Sequence, residues 1–254
     1  MFHELKSFIV ILVFCLFACV PVNQQAQTEH HQADVHYKLA LAHLQGGNPT
    51  LALKELLVAV KQDPQNSSIQ VALAQTYQRK NAYSLSEQHY LKALDLSDND
   101  PRYQNNLASL YLDMEKWDKA IHYFDLASQN LLFVNAHVAV AGKAYAYFKK
   151  MEYPEALIYS TEAIKIAPRY ASAYLLKSEV FQAMGNLDRQ KFFLQRAIEI
   201  APQFIQARYQ LAVLLLQENS PEEAAAQLET ILEFSPTSEL GYKAKSLLKS
   251  LPDS

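Results

Sequence analysis

NNLASLY at residues 105–111 and WDKAIHYFDLA at residues 117–127 are the two segments that decide the fold of this chain. Their apolar residues stand at the i, i+3, i+4 and i+7 intervals of an amphipathic helix. The same skeleton recurs before and after them at a spacing of about 34 residues. The small residue that marks each unit is Ala40, Ala74, Ala108, Ala144, Ser178 and Ala212. This regularity predicts an array of six similar units.

Each unit is predicted to contain two helices. The first helix carries a large residue three positions after the small one, such as Tyr111. The second carries a small residue and then a bulky one four positions later, such as Ala120 and Phe124. Prolines, which cannot continue a helix, follow the predicted helix ends at Pro64, Pro168, Pro202 and Pro236.

This arrangement of small, aromatic and proline positions resembles the tetratricopeptide repeat, and the first unit carries it as Ala40, Ala52, Ala59 and Pro64. The resemblance implies an all-α fold, a right-handed α-solenoid of six tetratricopeptide repeats over residues 33–238. Residues 239–254 are then a C-terminal capping helix and tail. Stacked neighbours are needed because one repeat cannot bury its own apolar face.

Residues 1–18 have the features of a signal peptide. An uncharged, mostly apolar run from Ser7 to Ala18 follows Lys6 and is too short to span a bilayer. The sequence LFAC ending at Cys19 resembles the bacterial lipobox, in which the cysteine receives a lipid. We therefore expect cleavage before Cys19 and lipidation of its thiol. An uncleaved anchor and an ordinary secretory signal are the alternatives.

Residues 19–32 are expected to be the lipidated cysteine and a flexible tether, because the segment is polar, Gln-rich and aperiodic. The residues after Cys19 are Val20 and Pro21. The Asp that would resemble an inner-membrane retention signal at this place is missing. The predicted location is the periplasmic face of the outer membrane, with the lipid as anchor.

Composition and motifs argue against several classes of function. The net charge of -3 and the lack of a Lys/Arg block argue against nucleic-acid binding. None of the common nucleophile, P-loop or zinc-protease motifs is present, so we expect no catalytic residues, no cofactor and no small-molecule substrate. His30, His31, His36 and His43 do not have the spacing of a closed metal site, so no metal is expected.

A partner protein is predicted to bind the face formed by the first helices of the first two repeats. The candidate contacts are Tyr37, Leu41, Leu44, Val71, Gln75 and Gln78. Tyr37, Leu41 and Leu44 form an apolar stripe that suits an amphipathic partner helix. The alternative is that the N-terminal tether, or tight curvature of the array, covers this stripe.

Over its whole length the chain resembles the type IV pilus biogenesis and stability lipoproteins, the pilotins of secretins. The resemblance rests on the lipobox, the six repeats, NNL at residues 105–107, WDKAIHYF at residues 117–124, and the longer junction at residues 129–133. It implies a non-enzymatic lipoprotein that binds an amphipathic segment of the secretin subunit and promotes secretin localisation and multimerisation in the outer membrane. A general periplasmic scaffold that recruits envelope enzymes, and an assembly lipoprotein of a tight-adherence or secretion system, are the alternatives.

Overall fold

A computed structural model describes residues 21–251 of the chain, and the predicted signal peptide and Cys19 lie outside them. The chain divides into two compact units, Met1–Leu110 and Tyr111–Ser254. All regular structure in the described part is helical. The prediction of an all-α fold is therefore confirmed.

The helices follow one another as successive pairs. Those that begin in the first unit are α1 (Pro21–Gln45), α2 (Pro49–Gln62), α3 (Ser67–Arg79), α4 (Tyr83–Leu96) and α5 (Pro101–Asp113), which continues past the unit boundary. The second unit continues with α6 (Trp117–Gln129), α7 (Ala136–Lys149), α8 (Tyr153–Ile166), α9 (Ala171–Ala183), α10 (Leu187–Ile200), α11 (Ile205–Gln217), α12 (Pro221–Phe234) and α13 (Glu239–Lys249). The last helix, α13, packs against α11 and α12, where a capping helix was expected.

The small residues that define the repeats are fully buried. They include Ala40, Ala74, Ala108, Ala144, Ser178 and Ala212 in the first helices. Bulky residues of the second helices, such as Leu56 and Leu194, fill the space beside them. Burial of each such leucine side chain stabilises the fold by about 1.5–3 kcal/mol.

Stacked or tilted aromatic rings join the two helices of four repeats. The ring pairs are Tyr77 with His89 at 5.4 Å between centroids, Tyr111 with Tyr123 at 5.6 Å, Tyr147 with Tyr159 at 5.3 Å, and Phe181 with Phe193 at 5.5 Å. The sequence pattern identified the first ring of each pair but not the second. Such pairs contribute about 0.5–1.5 kcal/mol beyond the area that they bury.

Polar side chains at buried repeat positions are satisfied locally. Ser86 Oγ donates to the Ala74 carbonyl at 2.8 Å, and Ser178 Oγ donates to the Leu175 carbonyl at 2.6 Å. Because a hydroxyl can reach a backbone carbonyl of its own or the paired helix, serine replaces alanine there without leaving a buried group unpaired. These departures from the repeat pattern therefore keep the helix spacing.

Residues 21–32 are helical, in contrast to the flexible tether that their polar composition predicted. They form the first half of α1. Residues 22–45 contain no glycine or proline, so no residue of low helix propensity of that kind interrupts α1 in this range. The end of this segment is also held by the C-terminal end of α2: Gln62 donates to Gln32 at 3.1 Å, and His30 hydrogen-bonds Asp63, the residue that follows α2, at 2.8 Å.

The turn between the two helices has the same geometry in every repeat. One residue with positive φ ends each first helix: Gly47 (73°), Asn81 (58°), Glu115 (56°), Met151 (63°), Gly185 (74°) and Asn219 (58°). The next N–H donates back across the turn, for example from Asn186 to the Phe181 carbonyl at 2.9 Å and from Glu152 to the Tyr147 carbonyl at 3.0 Å. This is the Schellman motif, in which glycine is the least strained residue.

We expect Met151→Gly to stabilise the protein and Gly185→Ala to destabilise it, each by about 1 kcal/mol, because a side chain at positive φ strains the backbone. Met151 is 74% exposed, so its side chain contributes little packing. A Cβ added at Gly185 would meet no atom within 4 Å, so the effect there is purely conformational. Denaturant midpoints of both variants measure the effect, and shifts of the same sign in the two variants would contradict it.

Candidate partner-binding surfaces

The predicted partner-binding face on α1 and α3 is partly core. Leu44 is 7% exposed and Val71 is 8% exposed, and Leu44 packs in the hydrophobic cluster of the first unit together with Ile69 and Leu73. Tyr37 and Leu41 are half-buried against the same cluster. The proposed contacts Leu44 and Val71 are therefore corrected to core residues, because α1 packs against α3 as well as α2.

The polar residues of this face are tied into the fold. Tyr90 Oη donates to Gln78 Oε1 at 3.2 Å, while Gln75 is half-buried on the same helix. Ser68 Oγ lies 3.5 Å from Tyr103 Oη. Burial raises the pKa of Tyr37, with further contributions from Tyr103 and Asp34 and an opposing hydrogen bond with Ser68. Tyr37, Leu41, Gln75 and Gln78 thus present a mixed, half-buried surface rather than an open apolar groove.

A second surface, the apolar loop, joins α6 to α7 and comprises residues 130–135. Leu131, Leu132 and Val134 are 101%, 89% and 90% exposed. Three exposed apolar side chains within four residues are unusual in a folded protein. An exposed apolar patch of this kind commonly marks an interaction site. Covering each of them on association would contribute about 1.5–3 kcal/mol before the cost of ordering.

The apolar loop is held in place rather than being a simple spacer. Phe133, between the exposed residues, is buried. The Leu132 N–H donates to Asn130 Oδ1 at 2.9 Å, and the Phe133 N–H donates to the Asn130 carbonyl at 3.0 Å. The turn therefore points one apolar side chain inward and leaves its neighbours in solvent.

The junction at residues 129–133 contributes to the family resemblance, but its sequence alone predicts no binding role. A signal was available, because LLFV at residues 131–134 is a run of four apolar residues in a connection between helices. Periodicity alone does not predict which of the four side chains is buried. The structure shows that it is Phe133.

Lys143 is a buried charged residue of the second unit. Its ammonium pairs with Asp125 and lies 4.0 Å from the centroid of the Tyr159 ring. Burial lowers the pKa of Lys143, but hydrogen bonds with Asp125 and Tyr159 outweigh it, so the pKa is raised overall. Lys143 is therefore a protonated link among α6, α7 and α8, which is a structural role and not that of a general base.

Residues 21–251 hold neither a cluster of metal ligands nor a membrane-spanning helix. No group of three or more His, Cys, Asp or Glu side chains is placed to hold a metal ion in this part of the chain. Among the helices described there, none combines the length and apolar character needed to cross a membrane.

We expect Leu44→Ala to destabilise the protein by about 2–5 kcal/mol, because it removes buried methyl groups and leaves a cavity. The matched control is Leu39→Ala on the same helix, where the side chain is 44% exposed and the expected change is within about 0.5 kcal/mol. Thermal and denaturant melts of both variants test the assignment of Leu44 to the core. Equal stability of the two variants would contradict the assignment of Leu44 to the core.

Comparison with known proteins gives the same repeat along much of the chain. Models of the tetratricopeptide repeat match residues 31–103, 171–204 and 191–248. An uncharacterized protein of Haemophilus influenzae is 32% identical over 120 residues, which are 46% of this chain and 66% of that protein. Anaphase-promoting complex subunit 6 of Arabidopsis thaliana is 25% identical over 113 residues, 43% of this chain and 21% of that protein. The chain thus spans less than two thirds of either relative.

Several solved structures share the fold at low sequence identity. PilF of Pseudomonas aeruginosa has a TM-score of 0.67 and 18% identity, covering 87% of this chain and 99% of its own. PilW, a widely conserved type IV pilus biogenesis factor, has a TM-score of 0.71 and 16% identity, covering 84% and 98%. Yeast Tom70 has a TM-score of 0.70 and 20% identity, covering 86% and 46%. These structures show the fold alone, whereas the repeat models that match residues 31–103 and 171–248, together with the repeated helix pairs, show that this chain is a tetratricopeptide-repeat protein.

Proposed function

We propose that this protein is a non-enzymatic outer-membrane lipoprotein that binds the type IV pilus secretin and promotes its localisation and multimerisation. The observation that carries the proposal is the extent of the match to PilF and PilW, which covers 99% and 98% of those chains and 87% and 84% of this one. Tom70, by contrast, is matched over 46% of its length. PilW is a type IV pilus biogenesis factor.

The tetratricopeptide-repeat fold supports a role in binding rather than catalysis. Stacked repeats offer an extended surface to other proteins, and Lys143 is neutralised by Asp125 in a structural ion pair. The lipid predicted on Cys19 supplies location, because each buried methylene of an acyl chain contributes about 0.8 kcal/mol to membrane attachment. The repeats would then be held beside the site of secretin insertion.

The partner contact in this proposal is an amphipathic segment of the secretin seated on the apolar loop. Leu131, Leu132 and Val134 offer apolar area, and the buried Phe133 fixes their position. Positions that are fixed before binding lower the ordering cost of association. The half-buried face with Tyr37, Leu41, Gln75 and Gln78 is the second contact, and it supplies polar groups.

The first test compares heat-resistant secretin multimers in outer membranes from cells with the intact gene, a deletion, or Cys19→Ala. We expect multimers to disappear on deletion. With Cys19→Ala they should decrease or move to the inner membrane, because the lipid supplies location. Immunoblots of separated membranes measure both effects. Unchanged multimers in the deletion strain would exclude the secretin role and favour a general envelope scaffold.

The second test uses a variant in which the three exposed side chains of the apolar loop are replaced by serine: Leu131→Ser, Leu132→Ser and Val134→Ser. The fold should be retained, because all three side chains are exposed, whereas secretin multimers should fall as the apolar contact is lost. The matched control is Met151→Ser with Ile158→Ser, at positions that are 74% and 62% exposed in the same unit. Circular dichroism checks folding. Full multimer levels with the loop variant would remove the loop from the mechanism.

A further inference from the structure

Lys177 on α9 and Lys143 on α7 occupy the same position in successive repeats, one residue before the small residue that marks each unit. Both ammonium groups lie over an aromatic ring of the second helix of their own repeat. Lys143 Nζ is 4.0 Å from the centroid of Tyr159, and Lys177 Nζ is 4.8 Å from the centroid of Phe193. The surroundings of the two lysines can therefore be compared directly.

The two lysines differ in the group that accepts a hydrogen bond from the ammonium. Lys143 pairs with the carboxylate of Asp125 on α6. Lys177 Nζ donates to Thr161 Oγ1 on α8 at 2.7 Å. Thr161 stands at the repeat position of Asp125, five residues after the small residue of the second helix. Within residues 21–251, no carboxylate forms an ion pair with Lys177, so its charge is left uncompensated.

The environment of Lys177 disfavours the charged form of its amine. The side chain is half-buried, and burial lowers the pKa of the ammonium. The charge of Arg189 on α10 lowers this pKa further. The Arg189 guanidinium lies over the Phe181 ring at 5.3 Å, and Phe181 stacks on Phe193 beside Lys177. A lysine that is desolvated and next to another cation has a larger share of neutral amine, which is the nucleophilic form.

We propose that Lys177 is a site of reversible carbamylation by carbon dioxide. The lone pair of the neutral amine attacks the carbon of CO₂, an N–C bond forms, and one C=O electron pair moves to oxygen. A proton leaves the nitrogen for water, so the product is the carbamate Nζ–COO⁻ and no oxidant or reductant is needed. Carbon dioxide is small and uncharged, which suits a half-buried amine.

The site favours the carbamate over the ammonium. The carbamate is negative, so the nearby charge of Arg189 attracts it, whereas the same charge repels the ammonium. The Thr161 hydroxyl, which accepts from the ammonium, is able to donate to a carbamate oxygen. At Lys143 the carboxylate of Asp125 stabilises the ammonium and would repel a carbamate. Carbamylation is therefore expected at Lys177 and not at Lys143.

The test uses the purified full chain in a mildly alkaline buffer of ¹³C-labelled bicarbonate in a closed tube. The ¹³C NMR spectrum should contain a carbamate resonance that Lys177→Arg removes, because arginine keeps the positive charge but has no nucleophilic amine. Alkylation with triethyloxonium traps the carbamate, and peptide mass spectrometry then locates it. The absence of any carbamate resonance that depends on Lys177 would overturn the proposal. No secretin is present, so that outcome would leave the secretin-multimer result unaffected.

Thr161→Asp is the decisive variant, because it gives Lys177 the carboxylate that Lys143 has. An opposite charge within about 4–6 Å raises the pKa of an amine by about 1–3, so the carbamate signal should fall about tenfold or more at the same pH. The control is Ile166→Asp, which adds the same charge at a position of α8 that is 49% exposed, and it should keep the signal.

Arg189→Gln is a second, independent variant. It should also weaken the carbamate signal, because it removes the charge that attracts the carbamate and repels the ammonium. Thermal melts check that each variant folds. Carbamate signals in Thr161→Asp and Arg189→Gln that equal that of the unchanged chain would show that neither the missing carboxylate nor Arg189 controls Lys177, and would overturn the proposal.

Discussion

The close approach of the two helices in each repeat is the constraint on which the rest of the structure depends. Buried small residues such as Ala40 and Ala144 leave room for it, and bulky residues such as Leu56 occupy the adjoining space. The Schellman turn sets the entry of the second helix, and in four repeats an aromatic pair closes the gap between the two helices. Substitution of any one of these parts alters the spacing on which its neighbours rely.

Two features of the chain occur where the repeat departs from its own pattern. The longer junction between α6 and α7 produces the apolar loop, and Gln190 places a long, buried amide side chain at a position where the other repeats have a small residue. Both departures have an energetic cost, since one exposes apolar side chains and the other buries an unpaired oxygen. Regular positions serve packing, so an exception that lies on the surface is expected at a site that is retained for binding.

Not every exception has this character. Ser86 and Ser178 satisfy their own hydroxyls, and Lys143 is paired with Asp125 and packed on Tyr159. In these cases the polar group is compensated within the repeats. An uncompensated group on the surface, such as the exposed side chain of Leu131, is the more informative signal because a partner can cover it.

The sequence by itself determined the all-α fold, the repeat spacing and the small buried residues, because apolar periodicity directly reports which face of a helix is packed. Only the tertiary structure decided that residues 21–32 continue α1, that Leu44 and Val71 belong to the core, and that Leu131, Leu132 and Val134 are exposed. It also revealed the unpaired oxygens of Gln190 and Gln210. Periodicity identifies an apolar face but not what covers it. The exposure of a side chain and the pairing of its polar atoms depend on the neighbouring helices. The sequence pattern of one helix does not show which residues of another helix it contacts.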